Sequence, residues 1–121
     1  MKPLVHPDIE DVPLEVILHA LADPIRVALF YEIVYQEGPK NCTMLVNVLD
    51  HPIPKSTLSQ HMRILREAGL VRGERHGTQM HNTSRYDEVD ARYPGLLLAI
   101  ITAHSVQIEA KKKSMDAIEV F

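Results

Sequence analysis

Apolar residues in the first third of the chain recur at the spacing of one helix face, which predicts two helices. The first is expected from Pro13 to about Leu21, with Asp11 as its N-cap. The second is expected from Pro24 to about Gln36, because Asp23 is a capping residue and a proline suits the first turn. The predicted buried faces comprise Leu14, Ile17, Leu18 and Leu21 in the first helix and Val27, Phe30, Tyr31 and Val34 in the second.

Two further helices are separated by a linker that contains two prolines. The third is short and capped by Thr43, whereas the fourth has Ser56 as its cap and ends at Ala68, before Gly69. Residues 50–54 cannot be helical throughout, because proline lacks the backbone donor and biases its predecessor toward extended backbone. The inward residues are predicted to be Leu45, Val48 and Leu49 in the third helix and Leu58, Met62, Ile64 and Leu65 in the fourth.

A β-hairpin and a long helix follow. The pattern predicts short strands at residues 70–74 and 78–84, joined at His76-Gly77, and a helical turn at 87–92. The last helix is expected from Pro94 to about Lys113. Its apolar residues cover more than one narrow stripe, and a small domain has no spare core to bury them. A partner chain is therefore expected to cover part of this helix.

Two short helices, a tight linker and a hairpin follow one another in the order of a winged helix-turn-helix. We expect a mostly α fold with a small β-hairpin, forming a single domain over residues 1–121. Within it, the helix-turn-helix core is predicted at about 41–69, the wing at about 70–85 and a C-terminal dimerisation helix at about 94–113.

The totals are those of an ordinary globular domain: 121 residues, 45% hydrophobic and 24% charged, with a net charge of −3. The single cysteine, Cys42, cannot form an internal disulfide, so nothing argues for secretion. The start MKPLVHPDIEDVP lacks the order of a signal peptide, and no apolar run approaches the roughly 20 residues that span a bilayer. A cytoplasmic protein without membrane contact is expected.

Charge is distributed unevenly along the chain. Residues 55–85 carry six Lys/Arg against two Asp/Glu, a net charge of +4, which leaves −7 for the remainder. A protein that is acidic except on one helix and the following hairpin is expected to reserve that face for a polyanion, with double-stranded DNA as the first candidate. The alternative is a winged-helix module that binds another protein and no DNA, which the acidic remainder supports.

The fourth helix turns short hydroxyls, an amide and cations away from its core side. These are the side chains that meet base edges and phosphates in the major groove. The hairpin adds cations at or near its tip, where they are placed to reach phosphates or the adjacent minor groove. The predicted DNA-binding residues are Lys55, Ser56, Thr57, Ser59, Gln60 and Arg63 on the helix and Arg72, Arg75 and His76 on the hairpin.

Three segments resemble the ArsR-type winged helix-turn-helix transcriptional regulators: LADPIRVALFYEIV, STLSQHMRILREAGLV and the wing RGERHGTQMHN. The resemblance covers roughly residues 18–86, and the serine-rich helix running into LREAGLV is its most specific part. It implies a homodimeric repressor that dimerises through its first and last helices and binds a near-palindromic operator. By this resemblance, His61 joins the other polar residues of the DNA-reading helix, and Gly77 joins Arg75 and His76 in the wing.

Departures from the family pattern concern its metal sites. Many members sense metals through paired cysteines, but Asn41 and Thr43 stand at those positions here, with Cys42 between them. A second family site uses acid and histidine pairs on the last helix, where this chain has only His104 and Glu109. Metal sensing is therefore not carried over, and no metal or other cofactor is expected.

Other chemistry is less well supported. The seven histidines form no HxH or HxxxH pair, which argues against a metal site. A hydrolytic triad could be formed by Ser59, His61 and Asp50, but no nucleophile elbow accompanies them, so no enzyme is expected. Cys42 is either a redox sensor or a small apolar filler, and the filler is favoured. The apolar last helix is either a dimer seam or the lining of a pocket for an unknown small-molecule effector, and both can hold.

Overall fold

The computed structural model describes residues 4–36, 38–49 and 51–119, without the side chains of residues 42, 118 and 119. Six α-helices, one short 3₁₀ helix and one hairpin make up the described part. None of the described helices is both long enough and apolar enough to cross a membrane. The elements are the 3₁₀ helix Ile9–Asp11, α1 Leu14–Ala20, α2 Pro24–Tyr35, α3 Cys42–Leu45, α4 Lys55–Glu67, β1 Val71–His76, β2 Gln79–Ser84, α5 Tyr86–Arg92 and α6 Leu96–Glu119.

Of the four predicted helix caps, one is confirmed. The Asp23 carboxylate accepts hydrogen bonds from the backbone N–H groups of Ile25 at 2.7 Å and Arg26 at 3.4 Å, as expected for an N-cap. The prediction for Asp11 is wrong, because Asp11 ends the 3₁₀ helix and α1 starts three residues later, after Pro13.

The two remaining cap predictions are also wrong. Ser56 lies inside α4, because the extended backbone of Pro54 (φ −56°, ψ 141°) lets the helix begin at the next residue. For α3 the capping side chain is Asn41 rather than Thr43, since Asn41 Oδ1 accepts from the Met44 N–H at 3.0 Å. Asparagine two residues earlier satisfies one of the orphan donors at the start of the helix.

The core is centred on α2, which packs against α4, β2 and α6. Contact on several sides explains why Leu29 and Ile33 are buried beside the predicted Val27 and Phe30. Tyr31, predicted to be inward, is 41% exposed, and its ring lies against that of Tyr35, tilted by 35° with centroids 4.7 Å apart. The remaining helices contribute the buried residues Ile17, Ala20, Leu45, Leu58, Met62, Leu65, Val89, Leu97 and Ile101.

Two helices leave apolar side chains on the surface of this single chain. Leu14 and Leu18 of α1, predicted to be buried, are exposed, whereas Ile17 and Leu21 are buried as expected. Along α6, Leu97 and Ile101 face the core while the exposed apolar side chains lie on its other sides. These exposed residues of α6 are Leu98, Val106, Ile108 and Met115.

The hairpin is antiparallel, and its pairing runs from Val71 opposite Ser84 to His76 opposite Gln79. The turn falls at Gly77-Thr78, one residue later than predicted, because β1 extends to His76. Beyond β2, Lys40 and Asn82 exchange backbone hydrogen bonds of 2.9 Å each, so β2 is paired on both sides at that point.

Gly69, immediately after α4, has a left-handed backbone (φ +78°). A Cβ there would lie 3.0 Å from Ile9 Cδ1 and 3.3 Å from Val12 Cγ2. We expect Gly69→Ala to lower the free energy of unfolding by about 1–2 kcal/mol, measured by urea denaturation. Gly95→Ala is the matched control, because Gly95 also has positive φ (+82°) and no atom within 4 Å of the new methyl. Equal losses in the two variants would contradict the role of the Ile9 contact.

Candidate nucleic-acid interface

α4 is divided cleanly into a buried and an exposed face. Leu58, Met62 and Leu65 are buried as predicted, and Ile64 packs against the core from its edge. The other face carries the predicted DNA-binding residues, all exposed except for the half-buried Thr57 and His61. The exposed members are Lys55, Ser56, Ser59, Gln60 and Arg63.

His61 differs from its neighbours because its ring reaches back into the fold. Its Nδ1 lies 3.3 Å from Nη1 of Arg26, a side chain that is only 8% exposed. The same guanidinium donates from Nε to the carbonyl of Ala20 at 2.6 Å and from Nη2 to that of His19 at 3.2 Å. Arg26 thus ties α4 to the junction of α1 and α2, and His61 is the side chain through which it does so.

The sequence pattern did not predict this role of Arg26. The available signal was a cation within the otherwise apolar run PIRVALF, three residues after the capping Asp23. The Arg26 guanidinium lies 3.7 Å from the Asp23 carboxylate, so the cap and the buried cation belong to one cluster.

Arg63 is the most prominent cation of the exposed face. Its Nε donates to Oε1 of Glu67 at 3.2 Å, one helical turn away, and 70% of its side chain is exposed. Such solvated pairs contribute only about 0.3–0.5 kcal/mol on a helix. Arg63 can therefore exchange Glu67 for a base edge or a phosphate at little cost.

The wing presents a second set of exposed polar groups. Arg72, Arg75 and His76 are exposed along β1, and Gly77 holds the turn with φ +63°. The ring of His76 stacks on that of His81 with centroids 4.2 Å apart, and its Nε2 lies 3.4 Å from Oε2 of Glu74. His81 was missed as a neighbour, because the strand register that places it opposite Glu74 was not predicted to the residue.

Two of the six cations of residues 55–85 are not exposed. Arg85 is 5% exposed, and its Nε and Nη2 donate to the two carboxylate oxygens of Glu88 at 2.8 and 3.1 Å. Arg66 is half-buried, with an Nε that finds no hydrogen-bond partner among the described residues, and burial lowers the pKa of its guanidinium. The exposed cationic surface consists of Lys55, Arg63, Arg72 and Arg75.

Other candidate chemistry gains no support from the geometry. Within residues 4–36, 38–49 and 51–119, no three His, Cys, Asp or Glu side chains converge as metal ligands would. The side chain of Cys42 and the whole of Asp50 lie outside the described residues, so the redox and triad hypotheses for them stay untested.

Comparison with known proteins agrees with this architecture. Residues 21–74 match a family model described as a helix-turn-helix domain. Over 64 residues the chain is 38% identical to the HTH-type transcriptional repressor SmtB of Mycobacterium tuberculosis, in two strains. The aligned part is 53% of this chain and 44% of the relative, so the chain spans less than half the length of the curated proteins it matches.

Solved structures extend the likeness of fold over most of the chain. A crystal structure of an ArsR family transcriptional regulator aligns with a TM-score of 0.54 at 20% identity, covering 84% of this chain and 91% of that one. An ArsR-like transcriptional regulator from Rhodococcus sp. RHA1 aligns with a TM-score of 0.55 at 16% identity, covering 87% and 91%. The predicted resemblance is confirmed: the chain has the ArsR-type winged helix-turn-helix fold, with its helix-turn-helix domain at residues 21–74.

Proposed function

We propose that this protein is a sequence-specific DNA-binding transcriptional regulator, a homodimeric repressor of ArsR type without the paired-cysteine metal site. One observation carries the proposal: α4 turns a polar, cationic face to solvent beside a wing that exposes further cations. A regulator of this kind acts on chromosomal DNA and is proposed to be cytoplasmic. No enzymatic activity and no cofactor are proposed.

The proposed binding mode places α4 in the major groove, which at about 12 Å wide accepts a helix. In this mode the N-terminal half of α4 meets base edges, and the hairpin lies along the flanking backbone. Arg72, Arg75 and His76 then bind phosphates, while Gly77 lets the turn approach the duplex closely. The proposed base-reading and helix-anchoring residues are Lys55, Ser56, Thr57, Ser59, Gln60, His61 and Arg63.

The homodimer is proposed from the apolar side chains left exposed on α1 and α6. Leu14 and Leu18 on one helix and Leu98, Val106 and Ile108 on the other are all at least 40% exposed. A second copy of the chain that covers them would gain about 25 cal/mol for each Å² of apolar surface buried. Two-fold symmetry would then present two recognition helices to half-sites about 34–36 Å apart.

The function is tested by selecting fragments from genomic DNA at low salt and measuring their affinity between about 50 and 200 mM salt. We expect at least one fragment to bind specifically and affinity to fall steeply with salt. Failure to retain any fragment would favour the alternative, a winged-helix protein-interaction module, which the net charge of −7 outside residues 55–85 supports.

Arg75→Ala is expected to weaken binding to specific and unrelated DNA alike and to reduce the salt slope by about one, because one phosphate contact is lost. Arg92→Ala is the matched control, since Arg92 is exposed on α5, where it lies 5.3 Å from the Tyr93 ring and outside the proposed interface. An unchanged salt slope in Arg75→Ala would contradict the proposed position of the wing on the backbone.

A further inference from the structure

The outer edge of β1 has a backbone donor that points away from the hairpin. Gly73 pairs with Asn82, and the backbone groups of Asn82 bond to Lys40 on the opposite side. This is a non-hydrogen-bonded pair of the β1–β2 ladder, so the Gly73 N–H faces outward. Its acceptor is Nε2 of His6, at 3.1 Å.

His6 belongs to an N-terminal strap, residues 4–8, that crosses this edge. A Cβ at position 73 would lie 3.4 Å from Leu4 Cδ1 and 3.1 Å from Met80 Sδ, so glycine makes room where the strap passes. One residue further along, the carbonyl of Pro7 accepts from Nη1 of the buried Arg85 at 2.8 Å. The strap is thus bonded to the middle of β1 and to the residue that follows β2.

The next residues of the chain connect the strap to the recognition helix. Ile9 is buried, and its Cδ1 lies 3.0 Å from where a Cβ of Gly69, just after α4, would stand. The strap itself is bonded to β1 and to Arg85, and the next residue, Ile9, lies against the C-terminal end of α4. The family-model match covers residues 21–74, so the strap and Ile9 lie outside the matched helix-turn-helix domain, whereas Gly69 and Gly73 lie within it.

The surroundings of His6 favour its neutral form. Charged groups reach it from every side of the site: Arg72 and Glu74 on β1, Arg66 on α4, and Arg85 after β2. Burial is the largest cause that lowers the pKa of His6 below its ordinary 6.5, and the three arginines lower it further against a smaller opposing effect of Glu74. Only a neutral imidazole has a nitrogen that can accept from Gly73, because both ring nitrogens of a protonated imidazole are donors.

We propose that residues 4–8 hold the wing at the angle to α4 that DNA binding requires, with His6 as the positioning residue, and that protonation of His6 releases the contact. The proposal rests on the proposed function, because it concerns how the same interface is arranged. The strap holds the edge that carries Arg72 and Arg75, so its release costs the wing its preorganised position. DNA affinity then falls although the released histidine is itself cationic.

The contact itself is tested without DNA, by hydrogen exchange of the Gly73 amide in three variants. His6→Ala removes the acceptor, His6→Gln replaces it with an uncharged amide oxygen, and Val5→Ala changes an exposed neighbour on the same strap. We expect exchange at Gly73 to rise about tenfold in His6→Ala, to return to within about threefold of wild type in His6→Gln, and to stay unchanged in Val5→Ala. Unchanged exchange in His6→Ala overturns the proposal, whether or not the protein binds DNA.

A pH series separates protonation from simple loss of the side chain. Because the pKa of His6 is lowered in the folded protein, the contact is complete above its ordinary value of 6.5 and is lost as the pH falls through the folded-state pKa. Wild-type protection of the Gly73 amide, corrected for intrinsic exchange, is therefore expected to fall on acidification, whereas that of His6→Gln is not. Equal pH dependence in the two proteins overturns the protonation step.

The effect on DNA is measured with a fragment that the wild-type protein binds. We expect affinity to fall about three- to tenfold in His6→Ala, which is the effect of one lost hydrogen bond. Affinity is expected to recover in His6→Gln and to be unchanged in Val5→Ala. Loss of Gly73 protection with unchanged DNA affinity overturns the positioning role. If no fragment binds the wild type, the proposed function fails, and the positioning role fails with it while the exchange data still decide the contact.

Discussion

Replacing Arg85 with alanine is expected to lower the free energy of unfolding by about 2–4 kcal/mol, because a buried charged group with several hydrogen bonds loses all of them. The guanidinium donates to both carboxylate oxygens of Glu88 and to the carbonyl of Pro7. The loss stays below the largest values known for buried pairs, since Glu88 is 51% exposed and water can solvate the carboxylate left behind. Urea denaturation, monitored by circular dichroism, measures the change in the free energy of unfolding.

Glu88→Gln is the matched control for the charge in this pair. An amide oxygen can still accept from Arg85, so we expect a smaller loss, about 1 kcal/mol. The hydrogen bond from Arg85 is the largest cause that holds the pKa of Glu88 below its ordinary 4.5. The ion pair therefore stabilises the fold fully above that value, and the stabilisation is lost as the pH falls through the folded-state pKa.

Acid titration of stability should thus be shallower in Glu88→Gln than in the wild type over the window below about pH 5. Arg85→Ala should be as insensitive as Glu88→Gln there, because either change removes the pair. If Arg85→Ala unfolds at the same urea concentration as the wild type, the hydrogen bonds of the buried guanidinium contribute nothing and the prediction is wrong.

Local sequence signals predicted the extent of α4 to within about a residue at each end. The spacing of Leu58, Met62 and Leu65 set the buried face, and Gly69 marked the end of α4 as expected. Alternation of core and polar positions also placed Lys55, Ser59 and Arg63 on the outside. These features depend on residues within a few positions of one another, which is why periodicity and the glycine stop signal suffice for them, although the predicted Ser56 cap is wrong.

Features that depend on contacts between distant parts of the chain were either not predicted or predicted wrongly. Arg85 is one of the six cations of residues 55–85, yet its side chain is buried. It is bonded to the carboxylate of Glu88, three residues later, and to the carbonyl of Pro7, 78 residues earlier. His6 and Gly73 are 67 residues apart, and nothing in the local pattern of either residue indicates the other. The burial of α2 on several sides likewise follows from its packing partners, so a single apolar face in the sequence cannot predict which of its residues are buried.

The candidate interface shows the same division. Which side chains of α4 are exposed follows from helix geometry, but the inward contact of His61 with Arg26 requires the α1–α2 junction to be placed first. Residues 55–85 expose fewer cations than they contain, because Arg85 is buried and Arg66 is half-buried. The net charge of +4 counted for residues 55–85 includes Arg66 and Arg85, so it overstates the exposed charge of that segment.

Arg63→Ala is expected to weaken binding to a specific fragment by about 1–3 kcal/mol, roughly 5- to 150-fold, if the guanidinium makes the bidentate base contact we propose. Its exposed side chain has only the solvated Glu67 as an ion-pair partner among the described residues, so little folded-state stability is lost with it. Binding to unrelated DNA should fall much less. Fluorescence anisotropy at fixed salt, with specific and unrelated duplexes of equal length, measures both affinities.

Lysine variants distinguish base reading from phosphate contact. Arg63→Lys keeps the charge but loses the planar fork, so we expect the salt slope to be retained while discrimination between specific and unrelated DNA is lost. Arg75→Lys should retain both, because a phosphate accepts a point charge. If Arg63→Lys discriminates as well as the wild type, Arg63 contacts a phosphate, and sequence reading must come from the hydroxyl and amide side chains of Ser56, Ser59 and Gln60 on the same face of α4.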